Sequence, residues 1–158
     1  MKKILALTTA LSLLLAFASC KEKEPKPGET EPDPVVSISV TGIENNRATV
    51  TATLEEGKFY GGKILTSIRI SDVAVNYTRE LALISFVNRH ANSIELESLP
   101  FTVTLEGLRA DTDFLSAVIV YGKDGVAISS AYDTWTSVGD PEGWSNENNA
   151  GELDDNTL

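Results

Sequence analysis

Residues 101–137 read FTVTLEGLRADTDFLSAVIVYGKDGVAISSAYDTWTS, and this stretch decides the fold class. Residues 101–105 alternate between apolar and polar side chains, which is the period of a half-buried strand. Residues 114–121 are apolar except for one serine, so they predict a central strand that packs on both faces. The tight-turn residues 123–125 (Lys-Asp-Gly) lead into a last strand at 126–135, because glycine tolerates a positive φ.

The same period-two pattern continues upstream. Residues 36–40 and 48–54 place apolar residues on one face and serine or threonine on the other, with an Asn-Asn turn signal at 45–46. Residues 64–70 alternate again and predict a third strand. Several strands with short turns and many β-branched residues predict an all-β fold, an antiparallel two-sheet sandwich.

The middle of the chain is less regular. Residues 80–87 (ELALISFV) are apolar at nearly every position, and periodicity alone does not separate a short helix from a strand buried on both faces. Leucine, alanine and glutamate favour a short helix at about 78–90. Residues 94–96 predict a short edge strand.

Residues 35–137 resemble a fibronectin type III domain, in the form common in surface proteins of the Bacteroidetes. Four segments of the C-terminal half carry the resemblance: Leu-Glu-Gly-Leu at 105–108, Ala-Asp-Thr at 110–112, Val-Tyr-Gly at 120–122 and Asp-Thr-Trp-Thr at 133–136. Residues 48–54 also fit the second strand of the family. The family usually has tyrosine where this chain has Phe114, and its hydroxyl hydrogen-bonds upstream backbone. The resemblance implies that this bond, worth about 1 kcal/mol, is lost here. Residues 80–87 are not a normal part of the family pattern and suggest an inserted or reshaped connection between the sheets.

The N-terminus has the layout of a secretory signal. Two lysines precede the apolar run 4–17, and two small residues come just before Cys20, the only cysteine. The run is shorter than the roughly 20 residues that span a bilayer. The small residues and Cys20 resemble the lipobox of bacterial lipoproteins, although Phe17 stands where leucine is usual. The resemblance implies that residues 1–19 form a lipoprotein signal peptide and that Cys20 becomes the lipidated (for example palmitoylated) N-terminus.

Residues 20–34 predict an extended tether. After Cys20 the sequence KEKEPKPGETEPDP mixes charge with proline and contains no large apolar residue. Its charged start loosely resembles the export signal of Bacteroidetes surface lipoproteins, although it is also typical of a plain charged linker. We therefore expect an exported outer-membrane lipoprotein. The sequence does not distinguish the periplasmic side of that membrane from the extracellular side.

Residues 138–158 predict an acidic, flexible tail. From residue 139 onward the tail has six acidic residues and no lysine or arginine, and Trp144 either folds back on the domain or docks a partner. The acids lack the spacing of an EF-hand loop, so we expect no metal. The formal net charge of −10 argues against a nucleic-acid partner.

The sequence contains no catalytic constellation. His90 is the only histidine and lies in a polar stretch, so we expect no catalytic residue and no cofactor. Aromatic residues are weak candidates for a binding surface, namely Tyr132, Trp135 and Trp144. Tyr132 and Trp135 differ in parity along a strand, so they are expected to face opposite sides of the sheet.

These features predict a non-enzymatic, lipid-anchored envelope protein whose sandwich binds a protein or glycan. Its partners would be the membrane, through the lipid at Cys20, and an envelope protein or glycan that the sequence does not identify. The alternative is a structural or accessory subunit of a surface fibre or glycan-uptake complex, with an edge strand and the tail as contacts. A hydrolase accessory domain is a further, disfavoured alternative.

Overall fold

The computed structural model describes residues 31–143, which belong to one compact unit. This part of the chain forms seven strands and one α-helix: β1 (Val35–Glu44), β2 (Arg47–Glu56), β3 (Gly62–Arg69), α1 (Glu80–Arg89), β4 (Ile94–Leu96), β5 (Phe101–Leu105), β6 (Asp113–Tyr121) and β7 (Ala127–Thr136). A 3₁₀ turn, Ile70–Asp72, follows β3. The predicted signal peptide, Cys20, most of the tether, Trp144 and most of the acidic tail lie outside the described residues.

The strands form two antiparallel sheets. One has the order β1-β2-β5 and the other the order β4-β3-β6-β7. β5 crosses from its chain neighbours in the four-stranded sheet to pair with β2 in the other sheet. This arrangement is that of a fibronectin type III-like sandwich, so the predicted fold class is confirmed.

The first apolar core lies between the two sheets. β6 is buried at seven consecutive positions, as the sequence predicts for a strand packed on both faces. Its residues Phe114 and Val118 face the small residues of β2, and the ring of Phe114 stacks on Trp135 with 4.9 Å between ring centroids. Stacked aromatic rings of this kind add to the stability from area burial alone.

A second apolar core lies on the outer face of the four-stranded sheet, beneath α1. Leu83 and Val87, four residues apart on one helix face, pack against Leu115 and Ile119 of β6. Residues 80–87 are therefore helical, as their composition favours. The expectation that they connect the two sheets is wrong, because α1 joins β3 to β4 within one sheet.

β3 departs from the predicted regular alternation. The strand ends at Arg69, and its pairing with β6 is irregular between Leu65 and Ile68. The irregularity reverses which side of the sheet the even-numbered residues of β3 face. Ile64 points into the core between the sheets, while Ile68 points toward α1. A bulge inserts an extra residue into the ladder, and a period-two pattern does not reveal such an insertion.

Candidate interaction surface

The strand directions give the sandwich two different ends. β1 begins where β2 ends, because Val35 pairs with Glu56, and residues 57–61 lead from that end into β3. We call it the tether end, since residues 31–34 enter β1 there. The distal end is the opposite one, where β1 turns into β2 and where the 105–113 connection and the end of β7 also lie.

The last residues of the predicted tether pack against the loop between β2 and β3. Gly57 has φ +77°, and a Cβ there would lie 2.7 Å from the Cα of Pro34. Tyr60 donates a hydrogen bond from its hydroxyl to the carboxylate of Glu31, and this bond is the main cause that raises the pKa of Tyr60. The chain therefore enters the sandwich along a defined path at the tether end.

An open cleft of about 310 Å³ lies at the distal end. It is lined by residues 69–71, Arg109 and residues 111–113. The lining contains two guanidinium groups, from Arg69 and Arg109, and two carboxylates, from Asp111 and Asp113. A cleft with balanced charges and two hydroxyl groups, from Ser71 and Thr112, can hydrogen-bond polar groups of a ligand from several directions.

Arg69 is held in place within the cleft wall. Its Nε donates to the Asp72 carboxylate at 2.9 Å, and both side chains are mostly buried. The 3₁₀ turn that follows β3 brings these two residues together at a spacing of three. A charge-assisted bond between partly buried groups fixes the direction of the guanidinium more firmly than an exposed pair does.

The opposite wall of the cleft is tied to the end of β7. Ser137, which is fully buried, donates from Oγ to the carbonyl of Arg109 and accepts from the N–H of Thr112 at 3.1 Å. Asp111 takes a positive φ of 51°, a conformation that aspartate tolerates in turns. Ser137 therefore holds the corner that tyrosine holds in the fibronectin type III pattern, while Phe114 only fills the core.

Asn46 links three segments of the distal end. Its side-chain nitrogen donates to the carbonyls of Leu108 and Asp140 at 2.7 and 2.8 Å, and its side-chain oxygen accepts from the Asp140 N–H at 2.8 Å. The side chain is buried, and its backbone N–H donates to the carbonyl of Val138 at 2.9 Å. The contacts of the sandwich therefore extend past Ser137 into the first residues of the predicted tail.

The two aromatic candidates of β7 face opposite sides of the sheet, as their parity predicts. Trp135 is 7% exposed and donates from Nε1 to the hydroxyl of Ser116 at 2.9 Å, so its ring belongs to the inter-sheet core. Tyr132 is 41% exposed and packs edge-on against Tyr77, with 5.4 Å between centroids. Of the predicted aromatic residues within 31–143, Tyr132 is the one that a partner can reach.

His90 has a local structural role at the end of α1. Its ring packs against Phe86 with 5.1 Å between centroids, and its Nδ1 accepts from the N–H of Asn92 at 3.2 Å. Partial burial lowers the pKa of the imidazole, so the neutral form that accepts this bond is favoured. The ring therefore connects the end of α1 to the loop that follows it.

No group of three histidine, cysteine or acidic side chains in residues 31–143 lies close enough to hold a metal ion. In the same residues, no helix is both long and apolar enough to cross a bilayer.

Apart from the turn signal at Asn46 and the motif at 110–112, the sequence patterns did not single out the residues that build the distal end. Arg69, Arg109 and Ser137 belong to no motif, and the spacing of Arg69 and Asp72 is the one local signal of a pair. The cleft forms because Arg69 pairs with Phe114 across the sheet, which brings the ends of two distant segments together.

Comparisons with known proteins bear on the fold alone. No protein-family profile matches the sequence, and no curated protein matches it. A solved structure described as "Myokine structure" is 17% identical with a TM-score of 0.44, over 69% of this chain and 99% of that one. The FN5 domain of Drosophila Lar is 13% identical with a TM-score of 0.38, over 70% of this chain and all of that domain.

These likenesses are too distant to carry an argument about function, and the strand order given above is what assigns the fold. Residues 35–137 form a fibronectin type III-like β-sandwich with a helix added over its four-stranded sheet.

Proposed function

We propose that this protein is a non-enzymatic, lipid-anchored module of the bacterial cell envelope that binds a polar protein or glycan partner at its distal end. The anchor would be the lipid on Cys20, after removal of residues 1–19. The proline- and charge-rich segment 20–34 would hold the sandwich away from the membrane surface.

The observation that carries the proposal is the direction of the chain. The tether enters at one end of the sandwich, packed against Gly57 and Tyr60, and the cleft between Arg69 and Arg109 opens at the other end. A domain anchored through its N-terminus would therefore turn this cleft away from the bilayer. Fibronectin type III-like sandwiches carry their functions on loops and edges at such ends.

The chemistry of the cleft supports a polar ligand. Guanidinium groups form directional bonds to carboxylates and to polyhydroxyl groups, and carboxylates accept bonds from hydroxyl or amine donors. Hydroxyl-rich glycan ends and charged peptide segments both offer these groups. Arg69 is already oriented by Asp72, which lowers the entropic cost of binding.

The test compares the two ends of the full-length protein in the membrane. A photo-crosslinking amino acid replaces the exposed Ser71 at the cleft or, as a matched control, the exposed Lys58 in the tether-end loop. We expect a discrete adduct from position 71 that is lost when Arg109→Ala is added, and none from position 58. Adducts from position 58 alone, or adducts at position 71 that are insensitive to Arg109→Ala, would refute a partner site at the distal end.

A second candidate is a structural subunit of a surface assembly, and one observation favours it. β5 forms an edge of the three-stranded sheet without a charged residue. Removing residues 144–158, which leaves the bonds between Asn46 and Asp140 in place, distinguishes the candidates, because glycan binding that survives the deletion supports a binding module. Tail-dependent co-purification with envelope proteins supports the subunit.

A further inference from the structure

The described sandwich has four edge strands, and three of them are protected against pairing with another strand. β1 and β7 lie beside each other, and the backbone N–H of Val40 donates to the Asp133 carboxylate at 3.0 Å. Both strands also have irregular pairing at or near an end. β4 is three residues long and carries Glu95, which pairs with Lys63 at 3.1 Å. Shortness, charge and irregularity are the usual means by which proteins block strand edges.

β5 has none of these protections. Residues 101–105 (FTVTL) contain no charge and no proline, and all five pair with β2 in unbroken register. Within residues 31–143, no hydrogen bond outside the β2 ladder involves the backbone of residues 101–105. In an antiparallel edge strand, every second residue directs its N–H and C=O away from the sheet. β5 therefore offers a regular row of backbone donors and acceptors.

The side chains of β5 also suit a neighbouring strand. Thr102 and Thr104 are exposed on the outer face, and their hydroxyls lie 3.3 Å from those of Thr51 and Thr49 across the sheet. Phe101, Val103 and Leu105 point to the inner side. Threonine pairs across strands are favourable, and they form here without any charged neighbour on β5 itself.

We infer that β5 is a self-association edge, at which two copies of this chain pair antiparallel about a two-fold axis through Val103. In this register, Thr102 lies opposite Thr104 of the second copy, and Phe101 lies opposite Leu105 of the second copy. The threonine rows of both molecules become continuous, and two three-stranded sheets become one sheet of six strands.

The partner strand is expected to be β5 of a second copy, because β5 is complementary to itself. An antiparallel pair centred on Val103 matches threonine with threonine and apolar with apolar, and it places no like charges opposite each other. A two-fold interface requires such a surface, since the same residues meet themselves reversed. A single strand edge buries little area, so the dimer is weak in dilute solution and gains from a high local concentration.

The test is a charge exchange on β5 of the full-length chain, measured by sedimentation velocity over a range of concentrations in mild detergent. The wild-type chain is expected to show a concentration-dependent monomer–dimer equilibrium. Thr102→Lys/Thr104→Lys places lysine opposite lysine twice and should weaken the dimer at least tenfold. Thr102→Glu/Thr104→Glu should do the same, and an equimolar mixture of the two variants should restore dimers.

The matched control is Ser39→Lys/Thr41→Lys, which adds the same charge at exposed positions of the same sheet face on β1. It should dimerise as the wild type does. A wild-type chain that stays monomeric at every concentration, equal loss of dimer in the control, or a mixture that fails to recover dimers would each overturn the inference. If the double variants do not fold, a wild-type chain that stays monomeric still overturns the inference, and the single variants Thr102→Lys and Thr104→Glu, whose mixture places lysine opposite glutamate, replace them. The result does not depend on the anchor or on the distal cleft.

Discussion

At the scale of single residues, Asn46 is the polar side chain that holds the distal end together. Replacing it with alanine removes three side-chain hydrogen bonds, to Leu108 and to both backbone groups of Asp140. Each bond contributes about 1 kcal/mol, and alanine is strained at φ 59° by about 1 kcal/mol. Asn46→Ala is expected to lower the free energy of unfolding by about 4 kcal/mol in urea titrations.

Asn45 provides the control for this prediction. It lies in the same turn with φ 49° but is exposed, so Asn45→Ala carries the backbone strain without the buried bonds. We expect a loss of about 1 kcal/mol for this variant. Equal losses in the two variants would mean that the hydrogen bonds of Asn46 do not hold the distal segments.

At the scale of elements, α1 is expected to be an integral layer of the domain. Leu83 is 1% exposed against β6, while Leu81, two positions away, is 82% exposed. Leu83→Ala should therefore lower the free energy of unfolding by about 3 kcal/mol, because the deletion leaves a cavity between helix and sheet. Leu81→Ala should change it by less than about 0.5 kcal/mol.

Thermal and urea unfolding of both variants check this prediction. If α1 instead unfolds separately from the sandwich, Leu83→Ala will affect only a low-temperature transition and leave the main one in place. A single transition shifted in Leu83→Ala but not in Leu81→Ala agrees with a cooperative three-layer domain.

The elements themselves were largely predictable from the sequence. Period-two alternation identifies β1, β2 and β5, and the apolar run in β6 reports burial on both faces correctly. The bulge in β3 was not predictable, because it depends on the pairing with β6 and not on local residue preference. The position of α1 over the four-stranded sheet was also not predictable, because a short apolar run does not indicate which surface the segment will cover.

At the scale of the whole molecule, the candidate site could not be predicted because no single segment contains it. Arg69 and Arg109 are 40 positions apart and meet only through the order of the strands. Trp135 could be named from the sequence as an aromatic candidate. Whether a partner can reach it depends on which side of β7 it lies, and in the fold it lies on the buried side. The expected anchor at Cys20 rests on composition and residue order alone, because signal segments are recognised without tertiary contacts.

The central claim is that this sandwich works at a membrane to which Cys20 attaches it. Attachment at Cys20 would point the distal cleft away from the membrane. It would also raise the local concentration of copies that can pair through β5. The direct measurement is fractionation of cells that express the wild-type chain or Cys20→Ala, together with the intact mass of the membrane-bound form. We predict that the wild-type chain is found in the membrane fraction, begins at Cys20 and carries a lipid mass, and that Cys20→Ala leaves the membrane fraction. A Cys20→Ala chain that stays with the membrane, or a wild-type Cys20 without lipid, would contradict the account.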